Sequence, residues 1–104
     1  MPLQGGGDHR ITPAQAAVLT RRHREQRGAR GPRAFAFGRE AFDAILAQPG
    51  CDGVRLYLAL GEDGEPTLVA VGITAAGADL AEGEVMDRSL PCPPFCPEAS
   101  VLGG

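Results

Sequence analysis

The sequence predicts a two-layer α+β sandwich, an antiparallel sheet of three to four strands around a central hairpin with two helices on one face. Three observations predict it. Two apolar-rich runs, 54–60 and 67–73, flank Asp63-Gly64, and that dipeptide between strand-like runs signals a hairpin. Upstream, Thr12-Pro13-Ala14-Gln15 joins an N-cap, a proline suited to the first helical position and a capping-box glutamine. Between them, Phe42, Ile45 and Leu46 stand at helical spacing. A chain of 104 residues holds one small domain with one core.

Residues 1–10 are glycine-rich and read as a flexible N-terminal segment. The single domain is expected over 11–89. Its first helix runs to about residue 26, with Ala14, Val18 and Leu19 as its apolar stripe and Ala17 as a weak extension. Gly28 ends it. Phe35 and Phe37 alternate in a short strand placed at the sheet edge. The second helix covers 39–48 and stops at Pro49-Gly50. With Asp63 and Gly64 at the centre of a two-residue turn, the register pairs Leu60 with Thr67, Leu58 with Val69, Leu56 with Val71 and Val54 with Ile73. That face is almost purely aliphatic and is assigned to the core. The other face pairs Tyr57 with Ala70 and Arg55 with Gly72. A last short strand is expected at 84–87.

Residues 90–104 form a Pro/Cys-rich tail, stiff and extended over 90–97 because its four prolines forbid helix. Leu90 and Phe95 are the sizeable apolar groups there, so the tail is expected to dock near Cys51 and bury Phe95. Pro91, Pro93, Pro94 and Pro97 cannot donate to a ladder, which assigns the docking to side-chain packing.

Net charge is −3 and every basic residue is an arginine. Residues 1–51 carry eight Arg and four acids, residues 52–104 two Arg and nine acids. Six arginines cluster near the end of the first helix, but no aromatic interleaves them and the domain is acidic. They read as a solvated face and a helix C-terminus, not as a nucleic-acid site. No run of about 18 apolar residues exists, so no membrane span is expected. Residues 1–7 lack the basic and apolar regions of a signal peptide, and the expected location is the cytoplasm.

Chemistry-bearing residues are few. Cys51, Cys92 and Cys96 leave three readings open. With His9 or His23 they could complete a Cys₃His zinc site. Cys92 and Cys96 could form a disulfide or redox pair, although the proline-rich segment has no helix N-terminus to favour a thiolate. All three could be buried small hydrophobes that pin the tail. His23 reads as a boundary residue of the first helix, and His9 lies in the lead-in. The glycines at 5–7 are not followed by the Lys-Ser/Thr of a phosphate loop. No held acid, base or nucleophile set is visible, so no enzyme and no cofactor are expected.

The segment Gln48-x-Gly50-Cys51-x-Gly53-x-Arg55-x-Tyr57, with Pro91-Cys92-Pro93-x-x-Cys96, resembles a group of small bacterial proteins of unknown function. The resemblance spans roughly 11–97. It implies no activity. It implies that Arg55, Tyr57 and the three cysteines form a unit. Many of the group carry Asp where Thr74 stands, and its loss here weakens a calcium-binding reading of residues 74–79.

The functional expectation is a non-enzymatic structural or interaction protein that associates with itself, or with another protein. Its interface is expected on the open sheet face: Arg55, Tyr57, Leu68 and Ala70, an arginine and a tyrosine among small and apolar residues. The alternative is a thiol-based zinc or redox module on the three cysteines.

Overall fold

A computed structural model describes residues 8–28 and 31–103; most of the N-terminal lead-in, residues 1–7, lies outside the described residues. The fold is α+β. In chain order the elements are α1 (Pro13–Arg27), β1 (Ala34–Ala36), α2 (Arg39–Leu46), β2 (Gly53–Leu60), β3 (Pro66–Ile73), β4 (Val85–Met86) and β5 (Leu90–Cys92). They form two antiparallel sheets. One is three-stranded in the order β2-β3-β4, and the other pairs β1 with β5.

The start of α1 follows the local chemistry. Thr12 Oγ1 accepts from the Gln15 N–H at 3.0 Å, and Gln15 Oε1 accepts from the Thr12 N–H at 2.8 Å, which satisfies two donors that a helix start leaves orphaned. Gly28 caps the other end at φ 66°, a conformation that suits glycine. The expected packing of α1 does not form. None of its residues is buried, and Val18 and Leu19 are about half exposed. Its better-covered side is Ala16, Ala17, Thr20 and Arg24, which are too small or too polar to anchor it on a sheet.

The helix on the sheet is α2. Ile45 is fully buried, and it is the largest side chain to be so. A methyl group added at Gly72 would stand 3.2 Å from Ile45 Cγ2, 3.0 Å from Gln48 Nε2 and 2.8 Å from Cys51 Sγ, so only glycine admits α2 this close. Phe42 stacks obliquely on Phe37, with ring centroids 5.8 Å apart. Leu46, expected in the apolar stripe, is about half exposed.

The hairpin forms where expected, one residue out of the expected register. Gly61 N donates to Glu65 O and Gly64 N to Gly61 O, both at 2.9 Å. Asp63 Oδ1 accepts from Glu65 N at 3.0 Å, and Gly64 adopts φ 78°. The connection is therefore a five-residue loop over 61–65, a turn followed by a left-handed glycine, in place of a two-residue turn. Leu60 consequently faces Pro66, Leu58 faces Leu68, Leu56 faces Ala70 and Val54 faces Gly72. Opposite faces of the sheet exchange partners when the register slips by one. Val54, Leu56, Leu58 and Leu60 now share the α2 side with Leu68, Ala70 and Gly72. Arg55, Tyr57 and Ala59 share the other side with Val71, Val69 and Thr67.

The tail also docks differently. Leu90, Pro91 and Cys92 pair with Ala36, Phe35 and Ala34, and Arg33 N donates to Cys92 O at 2.7 Å. So backbone pairing does hold it, on β1 and not near Cys51. Cys92 is its buried residue, while Phe95 is 59% exposed. The prolines do not prevent this because the short ladder draws on residues around Pro91.

Candidate functional site

Two places combine exposed surface with organised chemistry. The first is β2 with the loop after β3. Backbone bonds fold that loop: Thr74 N to Ala78 O and Gly77 N to Thr74 O at 2.9 Å, and Leu80 N to Gly72 O at 2.8 Å. Asp79 pairs with Ile73 across an isolated bridge and so meets the sheet face that carries Arg55 and Tyr57. Its carboxylate accepts from Arg55 Nη1 through one oxygen and from the Tyr57 hydroxyl through the other. Arg55 Nη1 also donates to Gly77 O at 3.1 Å.

The electrostatics follow from those bonds. The Tyr57 hydrogen bond, aided by Arg55, holds the Asp79 carboxyl below its ordinary range. Asp79 pushes the Tyr57 phenol up and the Arg55 guanidinium up. The trio ties the 74–80 loop to β2 and leaves neither the arginine nor the carboxylate free for a reactant. Arg55 and Tyr57 are thus a unit, but with Asp79 and not with the cysteines. Sequence reasoning missed Asp79 because it lies more than twenty residues downstream; placing Arg55 and Tyr57 on one strand face was the signal that a carboxylate should follow.

The expected interface set is divided. Arg55 and Tyr57 lie on one face, Leu68 and Ala70 on the other, and Ala70 is fully buried. The exposed apolar surface is instead a strip along β2. Leu56 is 48% exposed, Leu58 90% and Leu60 72%. It continues the face that α2 covers, past the point where α2 stops covering it. An open groove separates Leu58 and Leu60 from His23 and Arg27 at the end of α1.

The second place is the tail loop. Cys92 and Cys96 are joined as a disulfide, and the Cys92–Pro93 and Pro93–Pro94 peptides are cis. Phe95 N donates to Pro91 O at 2.9 Å, and Arg33 Nη2 lies 3.8 Å from Cys96 Sγ. Cys51 stands apart as a free thiol. Its Sγ packs at Gly72 and donates to Gly53 O at 3.3 Å. His9 and His23 are both exposed. Among the described residues no three His, Cys, Asp or Glu side chains gather as a metal would require. The expected Cys₃His set is not assembled: two of its sulfurs are spent on each other, and the third is packed beneath α2. Among the described residues no helix is long and apolar enough to cross a membrane.

Comparison of this chain with protein-family models, with curated proteins and with solved structures returns no match in any of the three.

Proposed function

We propose that this chain is a non-enzymatic structural protein that associates with copies of itself through β2. The observation that carries the proposal is the leucine strip on an unguarded edge strand. Among the described residues β2 has a strand neighbour on one side only, so alternate residues of this eight-residue strand point their backbone donors and acceptors outward. Exposed edges are ordinarily blunted by charge, proline or a bulge. Here β2 offers no proline, and its one charged side chain, Arg55, is turned to Asp79. Leu56, Leu58 and Leu60 run beside that edge.

A second copy could add its own β2 antiparallel to this one, continuing the sheet through main-chain bonds and laying leucine against leucine. This assigns self-association, not the partnered Arg55–Tyr57 face, as the role of the hairpin. We place the protein in the cytoplasm as part of the same reading.

Light scattering over a concentration series tests it. The expected mass is a multiple of 10.8 kDa at tens of micromolar protein. A strictly monomeric mass there overturns the proposal.

A further inference from the structure

The two sulfurs of the tail disulfide sit in unlike surroundings. Cys92 is 5% exposed at the end of β5, opposite Ala34. Cys96 lies on the surface past Pro93-Pro94-Phe95, with the Arg33 guanidinium Nη2 at 3.8 Å from its Sγ. Arg33 also lines a surface pocket with His23 and Arg24 of α1, and among the described residues that lining contains no carboxylate. Arg33 is placed by backbone as well, because its N–H holds the Cys92 carbonyl at 2.7 Å. An accessible sulfur beside a cation is the setting in which a thiolate is stabilised and reacts. The proline-rich segment itself supplies no such cation; the residue just before the strand it pairs with does.

We propose that Cys92–Cys96 is a thiol–disulfide exchange site, with Cys96 Sγ as the reacting sulfur, Arg33 as its positioning residue and a low-molecular-weight thiol as substrate. In the reductive direction an incoming thiolate attacks Cys96 Sγ. The Cys92–Cys96 bond breaks, and Cys92 Sγ leaves with the electron pair and takes a proton from water. The mixed disulfide on Cys96 is then attacked at the substrate's sulfur by a second thiolate, which expels the Cys96 thiolate beside Arg33. Two substrate thiols are oxidised to one disulfide, and the protein disulfide is reduced to two thiols. The reverse sequence oxidises the protein at the expense of a small disulfide. Attack at Cys96 follows from access, since the buried position of Cys92 closes the rear approach to its sulfur. In the compartment proposed above, disulfides are as a rule transient and catalytic or redox-sensing, which agrees with an exchange site better than with a permanent staple. The inference does not depend on self-association.

The test uses the full chain. Reduced protein is alkylated with iodoacetamide at neutral pH, and each cysteine peptide is followed separately by mass spectrometry, so that Cys51 is read on its own. Cys96 is expected to react about tenfold faster than Cys92, as a stabilised, exposed thiolate does. Arg33→Gln is expected to slow Cys96 several-fold, and Arg33→Lys, which keeps the charge, to restore most of that rate. Oxidised protein treated with glutathione is expected to carry its adduct on Cys96. Equal rates at the two cysteines, a Cys96 rate that ignores Arg33→Gln, or an adduct on Cys92 overturns the proposal. Should Arg33→Gln unfold by circular dichroism, the glutathione adduct on the wild-type chain decides alone.

Discussion

Replacing Leu58 with threonine separates association from folding. Leu58 is 90% exposed, so within one chain its side chain contributes almost no burial. Threonine keeps the preference for extended backbone, and such a surface change should alter folding stability by no more than about 0.5 kcal/mol. In the proposed dimer the same side chain lies against a leucine of the partner's β2, while its outer side stays in solvent. Burying about half of a leucine contributes about 1 kcal/mol, and threonine forfeits most of it. Each dimer contains two copies, so Leu58→Thr should weaken association by about 1–2 kcal/mol, or roughly 5- to 30-fold in Kd. Sedimentation equilibrium of wild type and variant measures the Kd, and urea unfolding of dilute protein measures the folding term. If the variant dimerises as tightly as wild type, the leucine strip is not the interface. If dilute variant loses more than about 1 kcal/mol of folding stability, Leu58 is covered within its own chain and the argument from exposure fails.

Three further outcomes are expected. Asp79 titrates below its ordinary value in the folded chain, so its contribution is complete above about pH 4 and is lost as the pH falls through the lowered folded value. Asp79→Asn should therefore destabilise at neutral pH and converge with wild type in acid; a stability difference unchanged between about pH 7 and pH 3 would contradict the trio. Gly72→Ala puts a methyl 2.8 Å from Cys51 Sγ and should cost about 1–3 kcal/mol by overpacking, with part of it recovered in the Cys51→Ala, Gly72→Ala double variant. Additive losses in chemical denaturation would count against that contact. Phe95→Ala should move the melting temperature by less than about 4 °C, because the ring is exposed, while Ile45→Val should cost about 0.5–1.5 kcal/mol. Calorimetry that finds the reverse order would place the core elsewhere.

The residues that declared themselves in the sequence act locally. The capping box at Thr12 and Gln15, the α2 stripe around Ile45 and the two hairpin strands depend on neighbours a few positions away. The register depended on one further fact, that Gly61 and Glu65 close the loop, and Asp-Gly alone does not distinguish a two-residue turn from a turn completed by a left-handed glycine. That single residue brought Leu68 and Ala70 onto the aliphatic side in place of Val69 and Val71; Leu56, Leu58 and Leu60 kept their side and are exposed where the short α2 stops covering it. Pairing of β1 with β5 joins segments more than fifty residues apart, and so does the approach of Arg33 to Cys96. Neither leaves a periodic trace. The cysteine readings could not be ordered from spacing, because C-x-x-x-C suits a metal and a disulfide alike, and what separates them is the distant placement of Cys51.

The proposed pairing also explains why association should stop at two copies. An edge that joins a different edge can extend without limit, as in a fibre, whereas β2 set antiparallel to its own copy uses the same strand twice and closes. The sheet then runs β4-β3-β2-β2-β3-β4, and its outer edges are both β4. That strand is two residues long, Val85–Met86, and acidic residues flank it at Glu84 and Asp87. Short, charged edges are the kind that resist further pairing. The scattering mass should therefore rise with concentration to about twice 10.8 kDa and level there, the behaviour of a closed two-fold. Mass that keeps climbing would mean that copies meet through β2 and a second, different surface, and would move the partner surface from β2 itself to the groove beside α1.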